Sequence, residues 1–273
     1  MPAKRSSVAQ SGAVPAPPLL EASGIVREYG GGHRGQAALR AVDNVSLIVR
    51  GGESVGLVGE SGAGKSSLLR TVLALERPQA GEVRLLGEQF STASGARLRR
   101  LRRHIQAVFQ DPYGSFDPQW PVARSIAEPF YLLDSPLSAA ERRNRVAAVL
   151  DQVGMAVADG ERYPHEFSGG QRQRIAIARA LITQPAVVVL DEAVSALDVL
   201  LRAQILDLLA DLSSRLGLSY LFVSHDLNVV RSITDRVYVM QRGRIVEHGI
   251  TAEVFAAPAS DFTRELLAVT PLL

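Results

Sequence analysis

The sequence has no cysteine, which excludes disulfides, thiolate metal sites and cysteine nucleophiles and is compatible with a reducing compartment. It has no apolar run approaching the ~20 residues that a membrane-spanning helix requires. Aromatic residues make up only 5% of the chain, and none interleaves the one dense basic run, at 97–103, where Leu98 and Leu101 are the interruptions. With a net charge of only +2, that run reads as a solvated helix rather than a nucleic-acid surface. Lysine is almost absent: Lys4 and Lys65 are the only two, so Lys65 stands out in a chain that otherwise uses arginine for positive charge. Residues 1–18 carry Lys4 and Arg5, then short apolar stretches broken by Pro15, Pro17 and Pro18. That is a poor secretory signal and an expected disordered extension.

What remains is globular in composition. At 273 residues with 47% hydrophobic, the chain can fill one large α/β core, with or without an inserted subdomain. Strand-like segments are expected at 19–28 and 42–49, separated by a glycine-rich loop at 30–35, and a short apolar strand at 54–58. A helix is expected over about 66–75 and a buried strand at 107–109. From 111 to about 167 the pattern changes. Prolines accumulate, strand-like runs are few, and Val146, Val149, Leu150 and Val153 recur at helical spacing, so this region reads as a helical insertion. Alternation then resumes, with strands at 186–190, 219–223, 236–240 and 244–248 and helices at 200–212 and 227–233. The result is a mostly parallel sheet that holds its ligand at the carboxyl ends of its strands.

The segment Gly59, Glu60, Ser61, Gly62, Ala63, Gly64, Lys65, Ser66 fits G-x-x-x-x-G-K-[ST] between an expected strand and an expected helix, with Ser67 following. Its glycines let the backbone curl so that successive N–H groups face a phosphate, and the helix start adds its positive end. Lys65 would bridge β- and γ-phosphates and Ser66 would ligate Mg²⁺. The apolar run 187–190 ends in Asp191 and Glu192. An acid pair after a strand is on its own most often a helix cap; behind a phosphate loop it reads as a metal carboxylate, Asp191, followed by Glu192 to orient or deprotonate a water. At Ser168, Gly169, Gly170 and Gln171 a capping serine opens a helix whose first N–H groups form a second anion site.

That last segment, Phe167 to Arg174, resembles the signature motif of the ATP-binding cassette (ABC) family, and the resemblance runs over about 19–267. It implies an α/β fold: a P-loop NTPase core with a mostly parallel sheet, an N-terminal antiparallel β subdomain, and a helical subdomain inserted at about 111–178 of a domain spanning 19–250, with a tail at 251–273. It further implies ATP and Mg²⁺ as ligands. Tyr29 would stack on adenine, although a surface tyrosine competes with that reading. Gln110 would contact Mg²⁺ and the attacking water, Asp198 would belong to a loop facing a partner subunit, and His225 would contact the γ-phosphate. The second anion site would close on the phosphate held by an identical or homologous subunit. Residues 109–118 and 163–167 resemble the importers of oligopeptides, dipeptides and nickel or metal chelates. The resemblance therefore implies two transmembrane permeases and a periplasmic solute-binding protein as partners, no nucleic acid, and a peripheral place on the cytoplasmic face of the inner membrane. A soluble ABC ATPase acting on nucleic acid or ribosomes is the rival reading, and a cassette that binds ATP without hydrolysing it is a third. Departures are Ala193, where relatives carry proline, which predicts a less rigid loop, and a tail that keeps only part of the subfamily pattern.

Overall fold

A computed structural model describes residues 17–30, 39–111 and 113–269; most of the expected N-terminal extension, most of the glycine-rich loop and Pro112 lie outside them. The chain opens with two long strands, β1 (Pro18–Tyr29) and β2 (Leu39–Arg50), followed by β3 (Ser54–Val58), helix α1 (Lys65–Val72), β4 (Ala80–Leu85) and β5 (Glu88–Gln89). Next come α2 (Gly95–Arg102), β6 (Ile105–Val108), α3 (Val122–Ala127), α4 (Ala139–Gln152) and α5 (Gly169–Leu181), the last three joined through short 3-10 turns. The remainder is β7 (Val187–Asp191), α6 (Val199–Leu216), β8 (Ser219–Ser224), α7 (Leu227–Ile233), β9 (Arg236–Gln241), β10 (Arg244–Ile250), α8 (Thr251–Ala256) and α9 (Asp261–Val269).

The strands form two sheets. One is antiparallel in the order β2-β1-β4-β5, and the other runs β10-β9-β3-β8-β7-β6. Within the second, β9, β3, β8, β7 and β6 are parallel, and β10 adds an antiparallel edge. The central strands are apolar throughout because both faces are covered. On β7, Val188 and Leu190 join one core with the helices α3–α6, while Val187 and Val189 join a second core against the antiparallel sheet. β8 divides in the same way, with Tyr220 and Phe222 on the helical side and Leu221 and Val223 on the other. This two-sided burial puts the carboxyl ends of β3, β6, β7 and β8 along one edge, where parallel sheets present their ligand sites.

Several boundaries differ from expectation. α1 stops at Val72, because Ala74 takes a left-handed conformation (φ 50°) and Leu75 is left exposed. β6 begins two residues earlier than expected, and Phe109 lies outside it and exposed. β4 and β5 had no expectation of their own: the charged residues Glu82, Arg84 and Glu88 break their apolar pattern, and β4 is a strand through its pairing with β1 on one side and β5 on the other. The arginine-rich segment is a helix, as expected, with Arg97 and Arg100 on Glu88 and Arg103 on Asp134. The tail folds as α8 and α9, with Glu247 accepting the N–H groups of Ala259 and Ser260.

Candidate active site

The phosphate loop leaves β3 and enters α1 through two glycines that no other residue could replace without a shift. Gly64 has φ 104°, and a Cβ there would stand 2.1 Å from the Ala41 carbonyl oxygen. Gly59 has φ 156°, and its Cβ would stand 2.2 Å from the Met240 carbonyl oxygen. The β9–β10 turn braces the loop from outside, since Gly243 N–H donates to the Ala63 carbonyl at 2.9 Å. Lys65, buried at the start of α1, donates to the carbonyls of Gly59 (2.6 Å) and Glu60 (2.8 Å). Burial lowers its pKa, and the carboxylates of Glu192, Asp191 and Glu60 work against that fall.

The acid pair arrives from β7. Asp191 is the last residue of that strand, and its pKa is raised by burial and by the negative charge of Glu192, against the pull of Lys65 and Arg70. Glu192 leaves the strand in a left-handed conformation (φ 48°), its N–H donating to Val223. Its own carbonyl accepts from the N–H and hydroxyl of Ser195. The expected looseness at Ala193 meets a turn tied at both ends, with Ala193 and Val194 buried in the core. His225, one residue past β8, sits with Nδ1 3.1 Å from Glu192 Oε1. With the proton on Nδ1 donated to that carboxylate, Nε2 remains free to face a ligand.

These elements enclose a cleft of about 560 Å³ lined by Tyr29, Leu39, Ala41, Ser61, Gly62, Gly64, Lys65, Ser66, Ser67, Gln110, Asp191 and Glu192. Gln110 follows β6, so the ends of β3, β6 and β7 and the antiparallel sheet contribute to one cavity. The residues suit a nucleotide: a cradle that a Cβ would fill, one cation and, at the far end, a tyrosine. They also suit a hard divalent ion, offering oxygen from Ser66, Asp191 and Gln110. Among the described residues no group of three His, Cys, Asp or Glu forms a cage of its own, so such an ion would rely on these few oxygens and on a ligand's phosphates.

Ser168, Gly169, Gly170 and Gln171 are not part of that cleft lining. Ser168 caps α5 in a reciprocal box with Gln171, its backbone N–H donating to the Gln171 amide oxygen at 3.0 Å. Gly170 lies so close to α6 that a Cβ would stand 3.1 Å from Leu201 Cδ2. Asp198 caps α6, accepting from Leu201 N–H at 2.9 Å, and next to it Val199 and Leu200 are exposed apolar side chains. The fold thus carries two separate helix-end sites, one inside the cleft and one outside it.

The reading of the sequence missed the surroundings of Tyr29. The Arg27 guanidinium lies over the tyrosine ring, 4.6 Å from its centroid, and Glu76 accepts from the Tyr29 hydroxyl (2.7 Å) and from Arg27 Nε (2.9 Å). Arg27 could have been suspected from its position two residues before Tyr29 on one strand. Glu76, 47 residues away, leaves no local signal.

Comparison with known proteins places these observations. The model of the family described as ABC transporter matches residues 42–195. The oligopeptide transport ATP-binding protein OppD of Mycobacterium tuberculosis is 52% identical over 233 residues, 85% of this chain and 38% of that protein. A putative peptide import ATP-binding protein of Brucella abortus is 45% identical over 257 residues, 93% of this chain and 77% of that one. The chain therefore spans less than half the length of the OppD relative. Among solved structures, the dimer of an ATP-binding cassette in a post-hydrolysis state bound to ADP and Pi superposes with a TM-score of 0.75 at 28% identity, covering 85% of this chain and 99% of that one.

Proposed function

The chain belongs to the ABC transporter family, and from that premise we propose that it binds MgATP in this cleft and hydrolyses it to drive import of a solute through partner membrane subunits. The observation that carries the reading is the convergence of Lys65, Ser66, Gln110, Asp191 and Glu192 on one cleft, with Glu192 held by His225.

In this reading Lys65 and the loop N–H groups hold the phosphates, and Ser66, Asp191 and Gln110 hold the metal, which when bound neutralises phosphate charge. Glu192 takes the proton of a water as its oxygen bonds to the γ-phosphorus, and the bond to the β–γ bridging oxygen breaks, leaving ADP and phosphate. His225, anchored through Nδ1, turns Nε2 to the γ-phosphate. Tyr29 receives the base. The second helix-end site, at Ser168 to Gln171, serves the nucleotide of a facing subunit, a copy of this chain or a homologue, with Asp198 and its exposed neighbours at the seam. The ADP- and Pi-bound dimer among the structural neighbours supports that arrangement.

Two permeases and a solute-binding protein complete the proposed assembly, with the chain peripheral on the cytoplasmic face of the membrane. No described helix is long and apolar enough to cross it. The names of the peptide-import relatives support a di- or oligopeptide as solute; a nickel or metal chelate rests on the sequence resemblance alone. The deciding experiment is phosphate release by Glu192→Gln. Turnover should fall by about 100-fold or more, the size of a general-base contribution, while ATP binding persists. Undiminished turnover would remove Glu192 from the chemistry.

A further inference from the structure

We infer that Glu76 is a positioning residue for the base of the nucleotide: it fixes Tyr29 and Arg27 as a two-layer platform on which the adenine lies. The inference rests on the nucleotide reading of the cleft and adds to it the residues that hold the base.

Tyr29 is the last residue of β1, paired with Leu39 at the end of the β1–β2 ladder from which the chain passes into residues 30–38. A tyrosine in such a place would ordinarily sample several rotamers, and each would have to be given up on binding a base. Here three contacts remove that freedom. The hydroxyl donates to Glu76 Oε2 at 2.7 Å, the Arg27 guanidinium covers the ring, and Arg27 is itself clamped by Glu76 through Nε and Nη2, both at 2.9 Å. A further Arg27 nitrogen donates to the Arg77 carbonyl at 3.3 Å. The Tyr29 hydroxyl hydrogen bond, with Arg27 and Arg70 beside it, keeps the Glu76 carboxyl below its ordinary range, so it stays charged in this role.

The layers are ordered. Tyr29 lines the cleft together with Leu39, whereas Arg27, stacked on the same ring, does not. In the proposed platform the cation backs the ring and the opposite face takes the base. A guanidinium behind the ring draws electron density from it, which favours stacking of an electron-rich purine in front. Glu76 also stands directly after the segment that follows α1, the helix that begins at Lys65. One short stretch of chain thus fixes the distance between phosphate cradle and base platform.

The test uses the full chain and two probes, MgATP and magnesium tripolyphosphate, which has the phosphates without a base. Glu76→Ala should weaken ATP binding about tenfold, the value of one base stacked on an aromatic ring, and leave tripolyphosphate affinity within about twofold of wild type. Tyr29→Phe, which keeps the ring and removes only the hydroxyl, should raise the KM for ATP about threefold with kcat unchanged, as expected when binding alone is lost. Wild-type ATP affinity in Glu76→Ala would overturn the inference. So would a parallel loss of ATP and tripolyphosphate affinity, which would mark Glu76 as merely structural. If wild type held tripolyphosphate as tightly as ATP, the platform would fall while the phosphate reading stood; if it held neither, both would fall together.

Discussion

Asp191 works against the stability of the fold that places it. A carboxyl whose pKa is raised by burial and by Glu192 contributes stability below the ordinary aspartate range and loses it as pH rises through the raised value. Ionising it above that value therefore costs stability. Asp191→Asn should raise the Tm of the ligand-free chain while removing metal-dependent turnover; a lowered Tm in calorimetry would contradict the stated cause. If Asp191 holds the metal as proposed, its protonation would weaken metal binding and so limit activity on the acid side. Turnover should fade on acidification at a pH above that of an ordinary aspartate. On the alkaline side Lys65, whose pKa burial lowers, should lose its proton, and the phosphates their cation, below the usual lysine range. Lys65→Ala should weaken ATP binding at every pH, and unchanged affinity by equilibrium titration would count against the phosphate-loop assignment.

At the scale of elements, α4 and α5 owe their starts to reciprocal caps, Ser138 with Glu141 and Ser168 with Gln171. They owe their positions to apolar stripes. Leu150, fully buried in the helical-side core, is the centre of the α4 stripe, so Leu150→Ala should cost about 2–5 kcal/mol in denaturant unfolding, and a loss under ~1 kcal/mol would mean that α4 does not pack there. This stripe was legible in the sequence, as were β3, β7, β8 and α7, because two-sided burial writes continuous apolar runs and a helix face writes a 3.6-residue period. The charged strands β4 and β5 were not legible: β4 is held by pairing with β1, distant in sequence, and β5 only by two residues paired with β4. The site divides along the same line. Lys65, Ser66, Asp191 and Glu192 sit in contiguous motifs and could be read directly. Gln110 and His225 were assigned through the family resemblance, and Glu76 acts entirely across the fold.

At the scale of the whole molecule, the proposed function turns on two helix starts read as anion sites. One opens α1 inside the cleft and the other opens α5 away from it. Exposed Val199 and Leu200 beside the Asp198 cap give a facing copy apolar surface to cover. A nucleotide held by the first site and closed by the second site of a neighbour would join two copies only while its γ-phosphate remains. The most direct measurement is the light-scattering mass of the full-length Glu192→Gln protein with and without saturating MgATP. The account predicts about 29.3 kDa without nucleotide and twice that with it, reverting when ATP is exchanged for ADP. A protein that binds ATP yet keeps the single-chain mass at every concentration would contradict it.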